Sequence, residues 1–296
     1  MMFSLNDIKE EIRDTLRAYL YPSCEYGSLE HTLSTASNVI EVAQSFKPYS
    51  QIYRNVSPYK ATVPVTIKAK KIGSPDGGLK VSIESSSNNM PSGTSIGATT
   101  IPASSISSEL GAITANIPIS SMLGSNKKYW LVITPLCSAS TASCYAVAKD
   151  SVDTHYLIGT AYEREGSSNW TSLGVDLYFN ASIPNWIYTS YPREDLSIHS
   201  FPRIAIDIIG RDVNQRWIDH RLSEYALDIS IVVYSRFPDE LDEIVSYVDR
   251  ALFKERVNFT NLTRVDPAIV SPVASLRDVL FTRGIRYTAY YIMTNT

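Results

Sequence analysis

Long apolar runs, clustered basic charge, paired histidines and a cysteine framework are all missing from this sequence, and each gap removes a class of function. No apolar stretch approaches the roughly 20 residues that a membrane-crossing helix needs. The opening run from Met1 to Asp14 is polar and acidic where a secretory signal is basic and then apolar, so neither export nor a membrane anchor is expected. The 27 Lys and Arg stand against 30 Asp and Glu for a formal charge of −3, which leaves no excess of cations to neutralise duplex phosphates. The three cysteines, Cys24, Cys137 and Cys144, make neither a metal set nor a disulfide framework. Cys137 and Cys144 do flank a loop of small residues, Ser138 to Ser143, that could bring the two sulfurs together; a pair of free thiols is the favoured reading. The four histidines, His31, His155, His199 and His220, lack the spacing of a zinc site. Nucleophile elbows, phosphate loops and dinucleotide fingerprints are equally absent, so the chain reads as non-enzymatic, with no cofactor and no metal.

What the sequence does have is 296 residues, 44% of them apolar, enough for one large or two ordinary domains. Its clearest stretch runs from Phe201 to Phe253. Ile204, Ile206 and Ile208 alternate with Ala205 and Asp207, and Leu227, Ile229, Ile231 and Val233 alternate with polar or smaller residues, which is the period of half-buried strands. Pro238 then opens a helix, with Asp239 and Glu240 at the positive end of its dipole. Leu241, Ile244, Val245, Val248 and Leu252 form its apolar stripe, and Asp239, Glu243, Asp249 and Arg250 take the other side. The carboxylates Asp239, Glu240, Asp242 and Glu243 read as a solvated helix face. Asn258 to Pro272 reads as a loop, followed by a closing hairpin around Arg283 and Gly284. At the other end of the chain, Ile8, Ile12, Leu16 and Leu20 recur every fourth residue in an amphipathic helix of about four turns that Pro22 ends. So short a helix does not stand alone in water, and it is expected to dock on the sheet beyond residue 200.

Between Ser34 and Ile187 helical periodicity disappears. Short alternating runs, such as Val63, Val65 and Ile67 or Leu79, Val81 and Ile83, are separated by turn-forming stretches at Lys71 to Gly78 and Ser87 to Gly93. That pattern predicts a β-sandwich, with one more hairpin at Gly166 to Asn169. Asp76, between Pro75 and two glycines, reads as a turn former, with calcium ligation the lesser reading. The five Asn-x-Ser/Thr triplets carry little weight without a secretory signal.

The order of helix (5 to 21), the strand from Phe201, the strand from Leu227 to Tyr234 and the helix from Leu241 to Val245 resembles the tail terminator (tail completion) proteins of long-tailed viruses. The resemblance spans residues 1 to about 25 and about 188 to 296. The middle, with Val42 to Phe46, Lys70 to Ile83 and Lys128 to Ile133, looks like the jelly-roll modules of surface and virion proteins, which resemble carbohydrate-binding β-sandwiches. Terminators are usually about half this long, a departure that an inserted sandwich accounts for. The expected fold class is therefore α+β, an antiparallel sheet flanked by helices at 1–33 and 188–296, with an all-β jelly-roll sandwich inserted at 34–187. A sandwich whose ends lie together can be spliced into a surface loop of a host domain.

The resemblance implies a homo-oligomeric ring, usually of six, that caps the tail tube and offers its other face to head-completion or connector proteins. DNA would pass through without sequence recognition, the sandwich would project outward, and the location would be the tail or neck of a virion made in the host cytoplasm. A glycan-binding surface module, or an adaptor elsewhere in the neck or baseplate, is the rival reading. Asp207, charged inside an otherwise apolar strand, points to solvent or to a neighbouring subunit, and in the ring scheme it is expected at the subunit boundary opposite Arg203, Arg211 or Arg216. For a host-surface glycan, Trp170, Tyr162, Tyr156 and Trp186 could stack on sugar rings if they shared one exposed face, with Trp170 favoured by its Ser/Asn-rich turn. Trp130, inside an apolar run, is expected in the core.

Overall fold

The computed structural model describes residues 5–48, 61–121, 123–124, 127–151, 155–182, 185–190, 202–216, 222–254, 260–265, 269–274 and 279–294. Among these residues the chain is mostly antiparallel β with two helices. It forms two compact units, one made of Met1–Tyr19 with Asn185–Thr296 and the other of Leu20–Pro184. Helix α1 (Leu5–Leu20) opens the first unit. The twelve strands of the middle unit follow: β1 (Ser23–Cys24), β2 (Leu29–Thr32), β3 (Ile40–Phe46), β4 (Ala61–Ile72), β5 (Leu79–Ser87) and β6 (Met90–Ile101), then β7 (Gly111–Ile119), β8 (Tyr129–Pro135), β9 (Cys144–Lys149), β10 (Ala161–Glu165), β11 (Thr171–Ser172) and β12 (Phe179–Ala181).

These twelve make one curled sheet in the order β1-β12-β4-β7-β6-β5-β8-β3-β10-β11, with β9 joining β4 to β2. Its register explains why the apolar pattern is partly continuous and partly alternating. Val42, Gln44 and Phe46 lie opposite Ile133, Leu131 and Tyr129, which in turn face Val81, Ile83 and Ser85, so one face of β3, β8 and β5 is a buried apolar row. On the opposite face Ala43, Trp130 and Val132 are buried as well, under Tyr162 and Trp170. Strands covered on both sides lose the simple alternation, as β8 does. Gln44 is tolerated inside because both ends of its amide are used. Its Oε1 accepts the Leu177 N–H at 2.8 Å, and its Nε2 donates at 2.9 Å to Asp176, whose other oxygen accepts the Tyr156 N–H at 3.2 Å. Between β5 and β6, Asn88 and Asn89 have φ of 49° and 62°, the two positive values of a tight hairpin turn that asparagine accepts better than most residues.

The unit boundaries differ from those at 33/34 and 187/188. β1 pairs with β12, Ser23 opposite Asn180, and β2 pairs with β9, Leu29 opposite Lys149, so Ser23–Cys24 and Leu29–Thr32 are strands of the middle sheet. With two and four residues these strands are too short to show a period in sequence. At the other end Ile187 pairs with Ile204 of the first unit.

The first unit continues with β13 (Ile187–Tyr188), β14 (Arg203–Arg216), β15 (Leu222–Ser235), α2 (Pro238–Lys254), β16 (Thr260–Arg264), β17 (Ile269–Ala274) and β18 (Val279–Thr294). The sheet order is β13-β14-β15-β18-β16, with β17 also on β18. Register brings Ile204 and Ile206, then Val233, Ile231, Ile229 and Leu227, then Ile285, Tyr287 and Ala289 into one buried face. Helix α2 lies over it. Leu241, Ile244 and Val248 are buried, and Asp249 accepts the Tyr287 hydroxyl while pairing with Arg264 of β16. Asp249 thus leaves the wet side expected for it. Glu240 is also buried, receiving the Ser235 hydroxyl, and Asp242 pairs with Arg283, so the four carboxylates at the start of this helix do not form a single solvated face. Helix α1 buries Ile8, Ile12 and Leu16 at 1% exposure or less. Lys9 pairs with Asp207 on β14, and an Arg17 Nη donates to the Ile187 carbonyl at 3.1 Å.

Two expectations fail near the end of the chain. β18 runs unbroken through Arg283 and Gly284, with Gly284 opposite Val232 on one side and Ile269 on the other, so no hairpin turns there. β16 and β17 occupy much of the stretch read as a loop; Pro272 is accommodated because, among the described residues, β17 pairs on one side only.

The first unit holds α1 to β13 through Arg17 and Ile187, and the middle unit starts and finishes on the paired strands β1 and β12. Each unit's ends at the crossover are therefore neighbours. Joining Tyr19 to Asn185 through a short flexible linker should give a soluble, cooperatively unfolding protein that keeps its helical circular dichroism. An aggregated or non-helical product would refute the division.

Candidate functional site

The middle unit carries an open groove of about 580 Å³ on the face of the sheet that bears Trp130 and Val132. Two hairpin tips wall it. One is the β5–β6 turn, contributing Ser87, Asn88 and Met90 to Ser92; the other is the β10–β11 connection, contributing Arg164 and Ser167 to Trp170. Both walls are braced. The Ser85 and Ser92 hydroxyls bond at 2.7 Å, and the buried Glu84 accepts the Gly93 N–H at 2.9 Å. Across the groove the Glu165 N–H donates to the Ser168 hydroxyl at 3.1 Å, and the Glu165 carboxylate takes the Thr35 hydroxyl at 2.9 Å and the Asn38 amide at 3.2 Å.

The chemistry of the groove centres on Arg164 and Trp170. The guanidinium lies over the indole at 4.7 Å from the ring centroid, and its Nε–H is taken by Glu41 of β3. A cation on an aromatic face and beside a carboxylate is held in place and largely neutralised. Its Nη groups, and the side-chain amides of Asn88 and Asn169, have no hydrogen-bond partner among the described residues. Beneath them Trp130 donates its indole N–H to Ser86 at 3.1 Å and meets Tyr162 edge-on, 5.3 Å between centroids.

The aromatic candidates therefore separate. Trp170 and Tyr162 belong to one cluster, half-buried against Trp130, while Tyr156 is 1% exposed, packed edge-on against Phe179 and accepting the Lys47 N–H at 3.1 Å. Tyr156 cannot reach a sugar. Trp186 is buried as well, in the first unit, and Trp130 is in the core as expected. Sequence reasoning missed Arg164, Asn88 and the Glu41 partner, because their juxtaposition depends on β3, β5 and β10 becoming neighbours in the sheet order.

The interface candidates all lie on β14 of the first unit. Asp207 has its partner inside its own unit. It pairs with Lys9 and also accepts the Ile208 N–H at 2.9 Å, so no arginine of a second copy is needed to satisfy it. Arg203 stacks on Tyr188 at 3.9 Å. Arg211 and Arg216 are on β14, with side chains outside the described residues.

Two further clusters have structural explanations. Asp76 accepts the hydroxyl and the N–H of Ser138 at 2.7 and 2.9 Å, stapling the β4–β5 turn to the β8–β9 loop, which is the work of a turn residue. Among the described residues no group of three or more His, Cys, Asp or Glu is disposed to hold a metal ion. Asp150, His155 and Tyr26 form a compact set, His155 bonded to Asp150 and stacked on Tyr26 at 3.9 Å, with the Cys24 sulfur 3.9 Å from Asp150. Burial, reinforced by Asp176 and Asp150, pushes the Cys24 thiol far above its ordinary range, so no thiolate nucleophile forms there. Cys24, Cys137 and Cys144 are all free and buried.

Asp207→Arg should lower the stability of the first unit itself, by on the order of 1 to 2 kcal/mol, since it sets two cations together and removes the acceptor for Ile208. Urea unfolding followed by the helical signal reads this unit, which holds both helices. Adding Lys9→Asp to the same chain should recover part of the loss, and no loss in the single variant would exclude the pair as a tie.

Ser138 holds the Asp76 carboxyl below its ordinary value of 3.8, so its staple is fully present above that pH and is lost as pH falls through the lowered value. The Ser138 amide resonance should titrate with a midpoint below 3.8 and cease to titrate in Asp76→Asn. A midpoint at or above 3.8 would mean that the contact is not kept in solution.

Compared with known proteins, the chain matches no protein-family model and no curated protein.

Proposed function

We propose that this chain is a structural protein of a virus particle that caps the tail tube as a six-fold ring and joins it to the head-completion proteins. In this reading the first unit is a helix-flanked terminator fold that makes the ring, DNA passes through it unread, and the middle unit is a jelly-roll sandwich appended to it. The observation that carries the reading is the element order of the first unit: α1, the β14–β15 hairpin, α2 and then β18, with the middle unit interrupting the chain between α1 and β13. That order and that interruption are what the terminator resemblance requires of a chain this long.

Strand lengths add support. β14, β15 and β18 have 14, 14 and 16 residues, against a usual five or six. At about 3.3 Å per residue they run for roughly 46 to 53 Å. Helix α2, with 17 residues, spans about 26 Å. A ring closes by repeating one heterologous contact between copies, and the length of sheet that outruns α2 is where a neighbouring subunit would fit.

Light scattering and negative-stain imaging of the pure protein, alone and with tail tubes, test the assembly; a six-fold ring on the tube end is expected. Particles made without the protein should have tails of irregular length or tails not joined to heads. Normal particles from such a strain would remove the proposal.

A further inference from the structure

The geometry points to the groove at Arg164 and Trp170 as a binding site for a neutral saccharide. This concerns the middle unit alone and does not depend on the tail reading. The lining narrows the ligand by chemistry. Among the described residues no aspartate or glutamate lines the groove, which gives a cation nothing to bind to. The one cation among the described lining residues, Arg164, is already paired with Glu41, so a polyanion such as nucleic acid or a sulfated glycan gains little there. Most of the remaining lining is hydroxyl and amide, with only Met90, Pro91 and the indole of Trp170 apolar, which disfavours a greasy ligand. What fits is an uncharged molecule that offers many hydroxyls and a few C–H patches.

The donors and acceptors match that ligand. The Arg164 Nη groups present fixed donors, while Asn88 and Asn169 each present a donor and an acceptor from opposite walls. None of these groups has a protein partner among the described residues, so binding displaces water and breaks no existing bond. At about 580 Å³ the groove is within the ordinary range of small-ligand sites. The sequence expectation was sugar stacked on Trp170. Here the indole has Arg164 across it and the Trp130 cluster against it, so it acts chiefly as the support that aims the guanidinium.

The test titrates the full-length protein, by calorimetry and saturation-transfer NMR, with glucose, galactose, mannose, N-acetylglucosamine and their short oligomers, beside sialyllactose and a heparin fragment. At least one neutral saccharide should bind. Asn169→Ala, Asn88→Gly and Arg164→Lys should each weaken it by about tenfold, the loss expected for one directed hydrogen bond in a small site. Arg164→Lys keeps a cation beside Glu41, Asn88→Gly allows the positive φ of the turn, and both asparagines are exposed, so these variants report on recognition with folding intact. The inference is overturned if no neutral saccharide binds at millimolar concentration, if sialyllactose or heparin binds in preference, or if binding is indifferent to all three variants.

Discussion

The constraint on which the rest of the first unit depends is that its opening helix must find strands made almost two hundred residues later. Lys9 and Asp207 are 198 positions apart, and Ile8, Ile12 and Leu16 are buried only when that distant partner is present. Closing an unstructured loop of this length costs roughly 4 to 5 kcal/mol, a sizeable share of an ordinary domain's stability. The middle unit relieves that cost by folding with its entry and exit strands paired, Ser23 beside Asn180, so that the loop seen by the first unit shrinks to a few residues. The β1–β12 pair is therefore more than an edge of the middle sheet, since it brings the two halves of the other unit close enough to join.

How far sequence could go followed from how local each signal was. The α2 stripe and the alternation in β15 are set by neighbours within a few residues, and their burial came out as the spacing predicts. Strands β16 and β17 fall in or beside a stretch that reads as a loop, and β1 and β2 give no sequence signal, because they are short, polar or proline-bearing and exist through pairing with partners remote in sequence. The false hairpin at Gly284 shows the opposite error. Glycine is a turn signal in sequence, yet in β18 it has a pairing partner on each side, and those partners decide its conformation.

The same division runs through the candidate sites. Trp170 was legible because a tryptophan in a Ser/Asn-rich turn is unusual in itself. Tyr156 was a candidate only as another aromatic of the same region, and the neighbouring Phe179 and the Lys47 amide reveal it as a core residue with a satisfied hydroxyl. For Asp207 the charge in an apolar strand called for a partner, and Lys9, the first basic residue on a helix already expected to dock on that sheet, supplies one within the same chain. The physical requirement was readable, whereas the identity of the partner was a question of topology.

Arg164 illustrates how one side chain joins the fold to its chemistry. A free arginine on a surface holds much rotameric freedom, and a ligand that immobilises it bears that entropic cost on binding. Here the cost is met on folding, since Glu41 fixes Nε and the Trp170 face fixes the plane of the guanidinium. Trp170 is itself fixed by Trp130 and Tyr162, which the register of β3, β8 and β10 places together. The pairing of three strands thus determines the direction of a few N–H bonds at the surface, and a groove so prepared can recognise a weakly interacting, hydroxyl-rich ligand that a mobile loop could not hold.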